Sequence, residues 1–232
     1  MGSTTSLVPI LVLLLLAFAA KPSSATGFKC SKAGSTCKAL VGYKPKNKTS
    51  LDSIRTLFSI PDLRTLLAAN NLSDSTPASH SVLPAVTVRI PVNCSCKNNT
   101  GTSDRSPTYT VKAGDSLDAI AASFSRLITY TDIANANNIP NPNLIEPGQK
   151  FTIPLPCSCD QVGGVPVVHY GYLVRPGDSV SVIASQFDTT EAVLLERNGM
   201  TNGSQLKADQ VLDVPLKGPL LCPFIFLGFC GC

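Results

Sequence analysis

The chain has 232 residues, a formal net charge of +4, nine cysteines, two histidines and no tryptophan. The mild positive surplus has no basic cluster behind it, which argues against a nucleic-acid partner. His80 and His169 stand isolated in the sequence, with no hydrolase motif around either.

Residues 1–25 read as an export signal. The apolar run over 7–20 is too short to span a bilayer comfortably, and the small residues Ser23 and Ala25 follow it. The terminal amine is the only positive charge ahead of that run. Cleavage near Ala25 removes Lys21 and leaves about 207 residues with a charge of +3. Export makes five sequon asparagines glycosylation acceptors at the surface: Asn47, Asn71, Asn93, Asn98 and Asn202.

Residues 26–97 form a first unit. Leu51, Ile54, Leu57 and Phe58 fall at helical spacing, and 63–71 reads as a second helix ending in asparagine. Residues 88–92 read as a strand that runs into Cys94-Ser95-Cys96. Each of these features echoes a block that occurs twice more, although the first unit lacks its Gly-Asp-Ser turn.

The central unit, 107–156, holds the block in full. YTVKAGDS (109–116) precedes IAASF (120–124), Asn137 and FTIP (151–154). The third unit, 170–217, repeats it as YLVRPGDS (172–179), IASQF (183–187), Asn198 and LDVP (212–215). The offset is 63 residues in the first half and 61 in the second, the mark of one small structural unit reused. In the central copy 109–112 alternates as a short strand, and 113–116 turns the chain. Asp115 or Ser116 is placed to cap a helix carrying Leu117, Ile120, Ala121 and Phe124. A second helix over 130–137, a turn-rich loop over 138–143 and a closing strand over 150–154 complete β-α-α-β. The linkers over 98–107 and 160–168 are polar or glycine-rich. The fold class expected is α+β: three small β-α-α-β modules packed together. Each core is too small to stand without help.

The cysteines are the obvious help. Cys30, Cys37, Cys94-Ser95-Cys96 and Cys157-Ser158-Cys159 suit an exported, disulfide-bonded chain. Zinc fits poorly, because a Cys-x-Cys pair is tighter than the usual ligand spacing. The two cysteines of such a pair rarely bridge each other, so they pair outward. Six cysteines allow fifteen connectivities, and the sequence alone does not choose among them.

These blocks resemble LysM domains, and three of them separated by Cys-x-Cys resemble the ectodomains of plant LysM receptors and receptor-like proteins. TCKALVGY (36–43), IEPGQKF (145–151), IPLPCSC (153–159), VVHY (167–170) and VLDVPLK (211–217) carry the likeness, which covers residues 30–217. The resemblance implies an extracellular protein, at the outer face of the plasma membrane or in the apoplast, that binds N-acetylglucosamine polymers. Chitin oligosaccharides are the expected ligand and peptidoglycan the alternative; a soluble decoy or wall glycoprotein is the other rival. It implies no cofactor and no metal, a LysM receptor kinase as signalling co-receptor, and a ligand-bridged homodimer. It also implies the pairs Cys30–Cys96, Cys37–Cys159 and Cys94–Cys157. Finally, it implies a shallow groove between two loops of the central unit. The first loop is Lys112, Ala113, Gly114, Asp115, Ser116 and Leu117. The second is Asn138, Ile139, Pro140, Asn141, Pro142, Asn143, Leu144 and Ile145.

The residues agree with that placement. Backbone groups of both loops suit acetamido and hydroxyl partners, and Pro140, Leu144 and Ile145 suit the N-acetyl methyl and the sugar face. Without tryptophan there is no indole platform, so affinity per sugar is expected to be modest and to grow with oligomer length. In the third unit Asp178, Ser179 and Met200 form a lesser candidate site. A glycoside hydrolase needs two carboxylates across one sugar bond. Asp115, Asp118, Asp132 and Glu146 are too sparse for that, with Asp118 and Asp132 expected to be solvated on helices, so no enzyme is expected. Residues 218–232 are apolar, broken by Pro223 and without the polar spacer of an anchor signal. They read as a truncated or alternatively spliced end, and Cys222, Cys230 and Cys232 have no assigned partner.

Overall fold

The computed structural model describes residues 27–84, 86–105 and 107–216. The expected export signal, Lys217 and the tail over 218–232 with its three cysteines lie outside the described residues.

The first unit runs β1 (Phe28–Lys29), β2 (Thr36–Tyr43), β3 (Thr49–Ser50), α1 (Leu51–Leu57), α2 (Leu63–Ala69), β4 (Ser81–Val82) and β5 (Val88–Lys97). A further strand, β6 (Thr100–Ser103), follows. The central unit runs β7 (Thr108–Thr110), α3 (Leu117–Ser123), α4 (Tyr130–Ala136) and β8 (Lys150–Thr152). The third runs β9 (Val168–Leu173), α5 (Val180–Gln186), α6 (Glu191–Arg197) and β10 (Val211–Leu216), with a 3₁₀ turn at Gly203–Gln205 before the last strand.

Each α-helix among the described residues has seven residues, too few to stand alone in water, so caps and packing hold it. Ser50, Ser116 and Ser179 occupy the same N-cap position ahead of α1, α3 and α5, each accepting from a backbone N–H three residues on. The first unit therefore keeps the cap although it lacks the Gly-Asp that precedes it elsewhere. Thr129 and Asp132 form a reciprocal capping box on α4. Asp132 is buried, not solvated as its helical position suggested, because its carboxylate turns back to the Thr129 amide at 2.8 Å.

One asparagine closes each helix pair against the strand that follows. The side-chain amide of Asn137 donates to the carbonyls of Ile133 and Thr152, and its oxygen accepts from the Thr152 amide, all at 2.8 Å. Asn198 makes the same three bonds to Leu194 and Asp213, and Asn70 makes them to Leu66 and Arg89. The repeated asparagine of the first unit is therefore Asn70. Asn71 is the left-handed residue after it, at φ 55°, as Asn138 is after Asn137 at φ 53°.

A six-stranded sheet in the order β1-β6-β5-β2-β9-β10 joins the first and third units. β2 pairs antiparallel with β5 from Thr36↔Ser95 to Tyr43↔Val88, and parallel with β9 at Leu40↔Tyr170 and Val41↔Gly171. The close approach needs glycine at 42, where a Cβ would lie 2.5 Å from the Tyr170 hydroxyl oxygen. The linker over 98–107 is more ordered than its polar composition suggested: β6 forms within it and pairs with β5 and β1. The central unit keeps a separate two-stranded sheet, β7-β8. Its apolar side chains merge with those of the first unit into one core. Tyr43, Phe58, Phe124 and Tyr109 run through that core as a chain of edge-to-face rings.

The disulfides are Cys30–Cys96, Cys37–Cys159 and Cys94–Cys157, the pairing that the resemblance implied. Six sulfurs so bonded are withdrawn from zinc ligation. His169, isolated in the sequence, is fully buried beside Asp213, its Nδ1 lying 2.6 Å from a carboxylate oxygen and its Nε2 2.8 Å from the Asp160 carbonyl. Arg197 bridges Asp160 and Asp213 at 3.0 and 3.3 Å and also donates to the Lys29 carbonyl and the Ser158 hydroxyl. Burial pushes the Asp160 carboxyl up. Hydrogen bonds from the Ser31 amide, Arg197 and the Ser31 hydroxyl outweigh burial and leave it below its ordinary value.

Candidate functional site

The two candidate loops of the central unit are built by local hydrogen bonds. Asp115 accepts from the Lys112 amide at 2.8 Å and from the Tyr109 hydroxyl at 2.9 Å. That folds 112–115 into a tight turn, with Gly114 at φ 85°, a region glycine enters without strain. Ser116 then caps α3 through the Ala119 amide at 3.1 Å. In the second loop Asn141 accepts from the Asn143 amide at 3.0 Å, and the Leu144 amide donates to the Asn141 carbonyl. Gln149 props the far end, its side chain accepting from the Glu146 amide at 2.9 Å. The Gly148 amide donates to the Val111 carbonyl, and the Val111 amide to the Gln149 carbonyl. These two bonds tie the base of the second loop to the strand that leads into the first.

Lys112, Ala113, Gly114, Ser116, Asn138, Pro140, Asn141, Asn143 and Leu144 are exposed, Leu144 by 72 %. Asp115, Ile139, Pro142 and Ile145 are half-buried. Leu117 departs from the expectation: its side chain is buried in the core, so only its backbone belongs to the loop. Ile139 and Ile145 also rest partly on that core, and Ile145 offers only one side outward. The surface is therefore an exposed leucine and the outer side of an isoleucine, set among polar backbone and asparagine amides. Burial first, then the Asp115 hydrogen bond and charge, push the Tyr109 phenol up to about 12. Near neutral pH Tyr109 is thus a neutral donor committed to the turn.

The third unit builds the same first loop. Asp178 accepts from the Tyr172 hydroxyl at 2.6 Å and the Arg175 amide at 2.8 Å, and Tyr172 is likewise pushed up to about 12, by burial first and then by Asp178. Arg175 lies over the Tyr172 ring, 5.7 Å from its centroid. The second loop differs. Gln205, at the place of Leu144, turns its side chain back to accept from the Thr201 amide at 2.6 Å. Met200 is buried and offers nothing outward. All five sequon asparagines are exposed, Asn202 among them on this loop.

Two functional features escaped the sequence. Gln149 and its counterpart Gln210, which accepts from the Lys207 amide, shape both second loops; their repetition at equal spacing was the available signal. The cluster around His169 gave none, because Lys29, Asp160, Arg197 and Asp213 converge only in the fold.

The LysM domain family matches residues 109–154 and 172–215. The LysM domain-containing GPI-anchored protein 2 of Arabidopsis thaliana is 47% identical over 216 residues, 93% of this chain and 62% of that protein. The chitin elicitor-binding protein of Oryza sativa subsp. japonica is 45% identical over 197 residues, 84% of this chain and 55% of that protein. The chain thus spans about six-tenths of the length of these curated relatives. A crystal structure of the ectodomain of a receptor-like kinase superposes with a TM-score of 0.65 at 20% identity, covering 82% of this chain and 96% of that one; it bears on the fold alone. The disulfides suit an oxidising compartment, in keeping with an extracellular protein. LysM domains thus lie in the central and third units, and over most of its length the chain is similar to plant LysM domain-containing GPI-anchored and chitin elicitor-binding proteins.

Proposed function

We propose that the chain is an extracellular pattern-recognition protein that binds chitin oligosaccharides through the central unit. The observation that carries this reading is the pair of central loops, where the exposed Leu144 and the half-buried Ile145 lie beside the exposed Asn138, Asn141 and Asn143. An N-acetylglucosamine unit has the matching faces: a methyl and ring C–H groups for the apolar side chains, acetamide and hydroxyls for the backbone. No ionised group is needed, so binding is expected to be nearly independent of pH near neutrality. In the third unit Gln205 is folded back and Met200 buried, so the half-buried Leu206 stands there without an exposed apolar neighbour like Leu144.

The first unit is read as a third, divergent LysM module. Its Ser50 cap and Asn70 clasp, repeated from the other two units, support that reading. One relative is named for binding a chitin elicitor and another for its GPI anchor. Together they support placement at the outer face of the plasma membrane or in the apoplast, with perception in immunity or symbiosis as the role. Signalling then falls to a LysM receptor kinase partner, and a long oligomer can bridge two copies of the chain. Peptidoglycan shares the N-acetylglucosamine unit and is the second reading.

Calorimetry with chitin oligomers of rising length tests the proposal, with peptidoglycan fragments of equal length run beside them. Tighter binding of longer chitin oligomers is expected. Equal or absent binding at every length contradicts it, and preference for the peptidoglycan fragments selects the second reading.

A further inference from the structure

Between the first and central units lies a groove of about 580 Å³, within the range of small-ligand sites. α1 forms one wall and β7 the other. Thr56 is exposed on the first wall, and Thr108 and Thr110 on the second. β7 pairs with β8 alone among the described residues. The Ser59 hydroxyl accepts from the Thr108 amide at 3.2 Å and lies 3.5 Å from the Thr108 carbonyl. With three residues in β7 and one already engaged, this edge is too short for an added peptide strand, the usual ligand of an open sheet edge.

We propose that the groove is a second N-acetylglucosamine-binding site, taking the units of a long oligomer that extend beyond the central loops. The inference rests on the chitin-binding reading above. Continuity is its main support: Lys112 lines the groove and also opens the first candidate loop, so a chain leaving that loop on this side meets the groove next. The chemistry of the lining agrees. Threonine hydroxyls, the Lys112 ammonium and the Asp52 carboxylate supply donors and acceptors for sugar hydroxyls and acetamide, and the half-buried Tyr109 supplies ring surface. The same chemistry has a second source. Thr49 lines the groove and is the hydroxyl residue of the Asn47 sequon, and N-linked glycans begin with N-acetylglucosamine, so a glycan on Asn47 is tethered two residues from this site.

Thr56→Trp fills the groove from the exposed side of α1, and Thr110→Trp fills it from β7. Each is compared with the unaltered protein by calorimetry with chitin trimer and chitin octamer, before and after enzymatic removal of N-glycans and in Asn47→Gln. Octamer affinity is expected to fall about tenfold in both tryptophan variants, as loss of linked subsites does, with trimer affinity unchanged. If the fall appears only after glycan removal or in Asn47→Gln, the groove binds this sugar and the chain's own glycan fills it. If both variants bind octamer as the unaltered protein does, in every glycan state, the groove proposal is overturned while the central site stands. If the unaltered protein binds neither oligomer, the chitin-binding reading fails, and the groove proposal with it.

Discussion

The central and third units share their turn, caps and asparagine clasp, yet they are fixed to the first unit by different physics. The central unit brings its own two-stranded sheet and is held by a merged apolar core, with Phe58 and Phe124 packed edge to face at 5.3 Å. The third extends the first unit's sheet through β9 and is locked by a buried ionic cluster around Arg197. Local sequence therefore sets the module, while residues outside the repeated block set its attachment and the face it leaves open. In the central unit that face carries Leu144; in the third, the equivalent Gln205 is consumed by its own loop.

The largest separation of the two units should come from Arg197→Ala. Removing the guanidinium leaves the Asp160 and Asp213 carboxylates without their shared cation. Breaking a buried ion pair in this way costs about 3–5 kcal/mol. Hydrogen exchange should show protection lost in 168–216 before 108–154. Equal loss in both segments, or none, contradicts the division of labour described here.

Asn137→Ala and Asn198→Ala should have a smaller and nearly equal effect. Each removes three hydrogen bonds between a helix end and the closing strand, worth about 2–4 kcal/mol together. Denaturant unfolding measures both. A large effect at one site alone would mean that the clasp is not an independent part of the repeat.

Acid should act more gently, and first on the third unit. Burial pushes the Asp178 carboxyl up, but the Tyr172 hydroxyl, the Arg175 amide and the Arg175 charge outweigh it and leave it below the ordinary 3.8. Asp160 is lowered as well. A carboxyl lowered on folding contributes stability that is present above the unfolded value and lost as pH falls through the folded one. Stability of the third unit should therefore hold down to about pH 3.8 and decline below it. Asp178→Asn should flatten that decline, and an unchanged acid profile would count against the hydrogen bonds that Tyr172 and the Arg175 amide donate to Asp178.

The sequence made the helices and the closing strands legible and narrowed the α3 cap to Asp115 or Ser116, of which the structure selects Ser116, because Gly-Asp-Ser and the apolar spacing act locally. It did not make the joined sheet legible, since β2 and β9 meet only through tertiary packing, nor β6, whose Thr100–Ser103 segment reads as polar linker until β5 and β1 flank it. The candidate loops were identifiable as loops, but which of their side chains face outward was not. Leu117 and Met200 turn inward because their helix and loop close over the core, while Leu144, no less apolar, is left outside by the Asn141 turn.

The most direct test of the central claim places a carboxylate at the same position of both second loops. Leu144→Glu changes a side chain that is 72 % exposed, so stability should move by no more than about 0.5 kcal/mol. Gln205→Glu keeps the acceptor that its loop uses. Calorimetry with chitin octamer should show binding weakened by about tenfold or more in Leu144→Glu, as for loss of a buried contact anchor, and unchanged in Gln205→Glu. Unchanged binding in Leu144→Glu, or a greater loss in Gln205→Glu, would contradict the assignment of the sugar to the central unit.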